Sequence, residues 1–206
     1  MYGRFFKRLL DVVLSLIGIV AFALPMLIIA MVIKAEGTGP VLFKTERVGK
    51  DKKLFRFYKF RSMRTDAPRD CAPRLLRGNY TTKVGAFLRK TSLDELPNHF
   101  CILKGDMSLV GPRPAGRSET DLIAERDKYG ANGVLPGLTG LAQISGRDLL
   151  AGDPARKAFV DGEYVKKITF SGDMKILFKT VGKVLRREGI AEGASVVHGE
   201  REEVRG

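Results

Sequence analysis

From Val12 to Ile33 the chain runs 22 residues without a charge, and Pro25 lies inside the run. Water offers so long an apolar stretch no favourable place, so it marks a membrane segment. At ~1.5 Å per residue, a helix of this length reaches about 33 Å, enough for a hydrocarbon core of about 30 Å. Length alone therefore allows a single span. A secretory signal fits less well, because its apolar region covers only about 7–15 residues.

The flanking charges constrain the topology further. Residues 44–90 hold 15 Lys/Arg against 4 Asp/Glu, which is +11 of the chain's +13. Arg4, Lys7 and Arg8 precede the apolar run. Basic flanks stay cytoplasmic, so a straight span satisfies one flank and a re-entrant hairpin satisfies both. Pro25 supplies a bend, since it removes a backbone donor and clashes with the preceding turn. Charge therefore favours a hairpin broken at Pro25 over a crossing helix.

Cys71 and Cys101 lie 30 residues apart with no cluster around them, and His99 and His198 are equally isolated. Neither a disulfide framework nor a zinc pattern is present, which suits a reducing compartment. A pI near 9.9 points to anionic partners: nucleic acid, lipid headgroups or phosphorylated metabolites. The membrane segment favours the last two, and no nucleic-acid-binding signature is present.

The predicted fold is α+β and mostly helical. Residues 1–35 form the membrane hairpin, 36–190 one cytoplasmic domain, and 191–206 a frayed tail. Glu36–Pro40 is a turn cluster that ends the first helix. Val41–Glu46 and Lys53–Phe60 read as a small β-hairpin around Val48–Asp51, with apolar groups on both faces of the second strand, one for the core and one for the membrane. Residues 61–80 read as an irregular loop, Thr82–Lys90 and Leu96–Leu103 as short helices, and Lys104–Pro114 as a loop. Ser118–Tyr129 reads as a helix capped by Ser118, and Val134–Arg147 as an extended loop. Asp173–Arg187 is the clearest amphipathic helix, with Met174, Leu177, Phe178, Val181, Val184 and Leu185 on one side. A core-facing role is commoner for such a helix, while its lysines and arginines also suit an interfacial helix on anionic lipid.

No P-loop, dinucleotide fingerprint or nucleophile elbow occurs. Ser92-Leu-Asp94-Glu95-Leu-Pro97 stands out, with two adjacent carboxylates among cations. Capping is the commoner reading: either a Ser92/Glu95 capping box or a cap at Asp94. The functional reading uses the same place. Asp and Glu can share Mg²⁺ with substrate phosphates, and Arg89 just upstream can hold a diphosphate. Lys59 and Arg61, and Arg113 between two prolines, are further phosphate candidates.

Phe60-Arg-Ser-Met63, Ser92–Pro97, Leu103-Lys-Gly-Asp-Met-Ser108, Gly111-Pro-Arg-Pro114 and Pro136-Gly-Leu-Thr-Gly-Leu-Ala-Gln143 follow in order. Together they resemble the bacterial sugar transferase family, the monotopic phosphoglycosyl transferases, in its minimal catalytic form. The resemblance implies transfer of a sugar 1-phosphate from a UDP-sugar to undecaprenyl phosphate at the cytoplasmic face of the bacterial inner membrane. UMP would leave, in the first membrane step of glycan assembly. By similarity Asp94 is the nucleophile of a ping-pong reaction through an aspartyl phosphosugar, and Glu95, with Asp94, binds Mg²⁺. Arg113 binds phosphate, Lys59, Arg61 and Arg89 neutralise phosphates, and Gln143 and Arg147 lie near the nucleotide. The family's first segment is a re-entrant helix broken at a proline, matched by Pro25, with both termini cytoplasmic. Leu24 stands where a Ser is usual, Leu135 where basic residues are frequent, and Ser62 where Thr is common. Homodimerisation stays open. The competing reading is a non-enzymatic, membrane-anchored basic module that binds anionic lipid.

Overall fold

The computed structural model describes residues 2–67, 80–146 and 152–186. The tail after 186 and most of the 61–80 loop lie outside the described residues. A π-helical turn, Tyr2–Phe6, leads into α1, Lys7–Glu36. This 30-residue helix is assigned without interruption through Pro25. Among the described residues it is the one helix long and apolar enough to cross a membrane. Most of its apolar side chains, among them Ile17, Val20, Leu24, Leu27 and Met31, are exposed.

The predicted hairpin forms, its first strand one residue longer and its second one residue shorter than expected: β1 (Leu42–Val48) and β2 (Leu54–Phe60), paired antiparallel from Leu42↔Phe60 to Val48↔Leu54. A third, two-residue strand, β4 (Ala115–Gly116), extends the sheet on the β1 side. The two faces of β2 do not divide between core and membrane. Phe57 joins a core with Cys101, Ile102, Met107, Leu109, Val110, Tyr164 and Ile176. Phe60 faces a second core with Ile33 and Leu88, into which Met26, Ile29 and Ala30 of α1 pack. Helix α1 itself covers that face of the strand.

Thr82 caps α2 (Lys83–Thr91) by accepting from the Gly85 amide. A 3-10 turn, Leu93–Asn98, follows and runs into α3 (His99–Lys104), where Gly105 takes the left-handed conformation and closes the helix. The next two stretches, expected as loops, hold short strands. β3 (Ser108–Val110) and β5 (Gly137–Thr139) pair in parallel. Between β4 and β5, α4 spans Thr120–Asp127; Glu119, one residue after the expected Ser118, stands at the cap position and makes no side-chain cap hydrogen bond. After β5 come α5 (Leu141–Ile144), α6 (Pro154–Lys166) and α7 (Phe170–Arg186).

The apolar stripe of α7 is split. Asp173 and Ile176 are buried, whereas Phe178, Val181 and Leu185 are 75%, 56% and 77% exposed. The core takes one edge of the helix and leaves a row of large apolar groups outside, next to the exposed Lys175 and Lys179.

Candidate active site

The Ser92–Pro97 stretch does not cap a helix. Ser92 has a left-handed backbone (φ 56°) and ends α2, its amide bonding to the Arg89 carbonyl at 3.1 Å. An N-cap residue needs extended geometry, so no capping box forms, and the Ser92 side chain makes no cap hydrogen bond. Asp94 lies within the turn rather than at its cap. Both capping expectations are therefore corrected, and the two carboxylates are left to other partners.

Those partners are cations from two other segments. The Lys59 ammonium lies 2.7 Å from Glu95 Oε1 and 3.5 Å from Asp94 Oδ2. Arg113 reaches Glu95 Oε1 from Nη2 at 2.5 Å and Oε2 from Nη1 at 3.2 Å. Both oxygens of Glu95 are thus engaged, while for Asp94, only 5% exposed, the ion-pair contact among the described residues is the longer one to Lys59, with the Arg113 charge acting on it as well.

The fold fixes these groups by backbone means. Asn98, fully buried, accepts the Tyr58 amide at 3.1 Å and ties the turn to β2 beside Lys59. Arg113 follows β3, and its loop is held against β5: the Gly111 amide bonds Thr139 O at 2.9 Å and the Gly137 amide bonds Pro112 O at 2.8 Å. A Cβ at Gly137 or Gly140 would run into the backbone of Gly111. The two glycine-rich motifs, far apart in sequence, are one support for Arg113.

The other predicted residues divide. Arg89 is fixed at the end of α2 by Ser62 Oγ, which accepts from its Nε at 2.9 Å. Gln143, on α5, donates to Leu138 O, and its buried Oε1 has no partner. Arg61 is not paired with the dyad. Its guanidinium donates to the carbonyls of Ile33, Gly37 and Thr38 and so closes the C-terminal end of α1. Arg147 lies outside the described residues. Asn98 and the Arg113 supports were not read from the sequence, because nothing local marks a buried amide or a parallel strand pair.

Surroundings push the two carboxyls apart. Burial raises Asp94 above the usual carboxylate range, Lys59 opposing it and the Glu95 charge adding to it. Burial acts the same way on Glu95, but the Arg113 guanidinium and Lys59 ammonium outweigh it and hold Glu95 well below that range. Adjacent carboxyls split in this way can take different tasks. Among the described residues no three metal-ligating side chains gather. Two carboxylates are nevertheless what Mg²⁺ takes from a protein when substrate phosphates supply the rest, so Asp94 and Glu95 could hold it. At Glu95 the ion would compete with Lys59 and Arg113.

The model of the bacterial sugar transferase family matches residues 2–187. An undecaprenyl-phosphate galactose phosphotransferase of Salmonella typhimurium is 40% identical over 205 residues, covering 91% of this chain and 42% of that protein. A UDP-N-acetylgalactosamine-undecaprenyl-phosphate N-acetylgalactosaminephosphotransferase of Aeromonas hydrophila is 40% identical, covering 88% of this chain and 44% of its own length. The chain therefore spans less than half of these relatives. The uncharacterized sugar transferase EpsL of Bacillus subtilis, 40% identical, is covered over 90% of both chains.

Proposed function

The chain belongs to the bacterial sugar transferase family, and on that premise we propose that it transfers a sugar 1-phosphate from a UDP-sugar to undecaprenyl phosphate and releases UMP. The observation that carries the reading is the asymmetry of the dyad. Glu95 spends both oxygens on charge-assisted bonds. Asp94 keeps a carboxylate of raised basicity with one long contact, as a nucleophile needs.

Asp94 attacks the β-phosphorus, the one that bears the sugar. The bond from that phosphorus to the oxygen bridging the two phosphates breaks, and UMP leaves with its electron pair. An aspartyl phosphosugar remains. A phosphate oxygen of the polyprenol then attacks the same phosphorus and the Asp94 carboxylate leaves, which gives a sugar–diphospho–polyprenol. Lys59 and Arg113 stabilise charge on the non-bridging oxygens, moving from Glu95 toward the phosphates as these arrive. Asp94 and Glu95 would hold Mg²⁺ together with the donor phosphates, and the ion would add charge neutralisation on the diphosphate.

The way α1 is fastened supports a membrane geometry for it. At its start Lys7 pairs with Asp173 of α7 at 2.7 Å, and Arg8 donates to Ile102 O and Leu103 O. Asp11 accepts the Leu109 amide at 2.9 Å. At its other end Ile33 is buried and Arg61 binds the last carbonyls. A helix of 30 residues is about 45 Å long, and one domain holds both ends. Two ends held by one domain support entry and exit through the cytoplasmic leaflet of the bacterial inner membrane, with any bend at Pro25 a kink inside a helix that stays continuous. The exposed row on α7 would rest in the same interface.

The deciding experiment is incubation with a panel of UDP-sugars without lipid acceptor, followed by intact-mass analysis. A phosphosugar adduct that disappears in Asp94→Asn is expected. No adduct with any donor, together with UMP release unchanged in Asp94→Asn, would overturn the covalent reading.

A further inference from the structure

Behind the Arg113 loop lies an ion pair that touches neither carboxylate of the dyad. Arg126 on α4 and Asp161 on α6 have side chains only 4% and 1% exposed. Arg126 Nε and Nη2 both donate to Asp161 Oδ2, at 2.9 and 2.5 Å. The same Nη2 also donates to the backbone carbonyl of Arg113 at 2.9 Å. A buried ion pair contributes little net stability, since desolvation offsets most of the attraction, and apolar residues often replace one without loss. Joining α4 to α6 therefore does not by itself require this pair.

The Arg113 carbonyl does have such a requirement. Arg113 stands between Pro112 and Pro114, so neither neighbour has an amide to donate. The β5 strand holds the loop from one side, at Gly111 N and Pro112 O. Arg126 holds it from the other, at the carbonyl of the residue whose side chain grips Glu95. Resting on the transferase reading, we propose that Arg126, oriented by Asp161, is a positioning residue for Arg113: it fixes the loop's backbone so that the Arg113 guanidinium meets Glu95 and then the donor phosphates at one angle. A planar fork can serve a carboxylate and a carbonyl together. An ammonium in its place keeps the charge but not that geometry.

The test is a cycle between Arg126→Lys and Arg113→Ala, beside an apolar replacement, Arg126→Met with Asp161→Leu. Adduct formation is followed by intact mass over a range of donor concentrations, and stability by urea midpoint. Losing one such hydrogen bond corresponds to a factor of up to about ten. Arg126→Lys is expected to raise the donor KM by about that factor, with kcat little changed, in the Arg113 protein and to do almost nothing further in Arg113→Ala. The apolar pair is expected to stay folded, its midpoint lowered by no more than the loss of the one hydrogen bond to the Arg113 carbonyl, and to show the same rise in KM. Equal losses in both Arg113 backgrounds, or an apolar pair with wild-type KM, would overturn the proposal. If wild type forms no adduct with any donor, the transferase reading fails instead. The same cycle read on urea midpoints still decides the proposal, which requires Arg126→Lys and Arg113→Ala to be non-additive.

Discussion

Arg113 and Glu95 face each other in a two-point contact, Nη2 2.5 Å from Oε1 and Nη1 3.2 Å from Oε2. The neighbouring Asp94 has no such partner, so the two carboxylates respond oppositely to neutralisation. Glu95→Gln leaves Arg113 and Lys59 facing an uncharged amide in a mostly buried place. Breaking a buried pair from one side costs about 3 kcal/mol, which for a chain of this size lowers the melting temperature by roughly 6–12 °C. Asp94→Asn removes a buried charge that burial disfavours, so it is expected to melt at or above wild type. Thermal melts at pH 7 check the pair, and a melting temperature lowered equally in both variants would contradict it.

The pH dependence carries the same asymmetry. Asp94 has a folded pKa above its unfolded value near 3.9. Its contribution to stability is present below the unfolded value and is lost as pH rises through the folded one. Glu95 has a folded pKa below its unfolded value near 4.3. Its contribution is present above that value and is lost as pH falls through the folded one. The gain from Asp94→Asn should therefore shrink on acidification toward the unfolded Asp value. Attack requires ionised Asp94, so the rate of adduct formation should fall as pH drops through its raised pKa. In Glu95→Gln the neighbouring negative charge is gone and the acidic limb moves to lower pH. A single-turnover profile from pH 4 to 8 measures both, and a limb that stays put in Glu95→Gln would contradict the coupling.

Gly137 tests the support of Arg113. A Cβ there meets the backbone of Gly111 and the Thr139 carbonyl, neither of which can move cheaply. At Gly133 a Cβ meets nothing within 4 Å. Gly137→Ala is expected to push the two strands apart, lower the melting temperature by several degrees and slow adduct formation at least tenfold. Gly133→Ala is expected to leave both within error. Comparable behaviour of the two variants would remove the support from the account of the site.

What could be read in the sequence were the features with local signals. The long apolar run, the hairpin and the helix after Thr82 are written in composition, alternation and a cap residue. The dyad was found as adjacent carboxylates among cations, but its surroundings were misread. Ser92 looked like a cap until its left-handed backbone placed it at the end of the previous helix. The parallel pair β3–β5 escaped because each strand is three residues long and its partner lies some thirty residues away, which no period reveals. Helix α6 went unassigned although Asp153-Pro154 is a cap followed by proline in the first turn, a start signal that holds in the structure. Lys59 and Arg61 stand two apart, so alternation alone would send both the same way; β2 ends at Phe60, and past it the chain turns Arg61 toward the carbonyls at the end of α1 while Lys59 stays at the dyad.

Topology can be tested at the two ends of α1. Single cysteines placed at Phe5 and at Glu36, in a background without Cys71 and Cys101, report which side each end faces. If the domain that holds both ends is cytoplasmic, as proposed, neither should react with a membrane-impermeant maleimide in intact cells, and both should react after lysis. Labelling of Phe5→Cys in intact cells while Glu36→Cys stays protected would mean that the helix crosses.

The exposed row on α7 makes the last prediction. Phe178, Val181 and Leu185 stand out from the domain on the same helix whose Asp173 holds Lys7 at the start of α1. Burying one large apolar side chain is worth roughly 1.5–3 kcal/mol, so three placed in an interface would hold α7 against lipid. The chain has no tryptophan, and Phe178→Trp therefore introduces a single reporter at an exposed position. In liposomes its emission is expected to shift to the blue and to be quenched by lipids brominated near the headgroup end of their chains. A spectrum typical of water and indifferent to brominated lipid would detach α7 from the membrane and leave α1 as the only contact in the described chain.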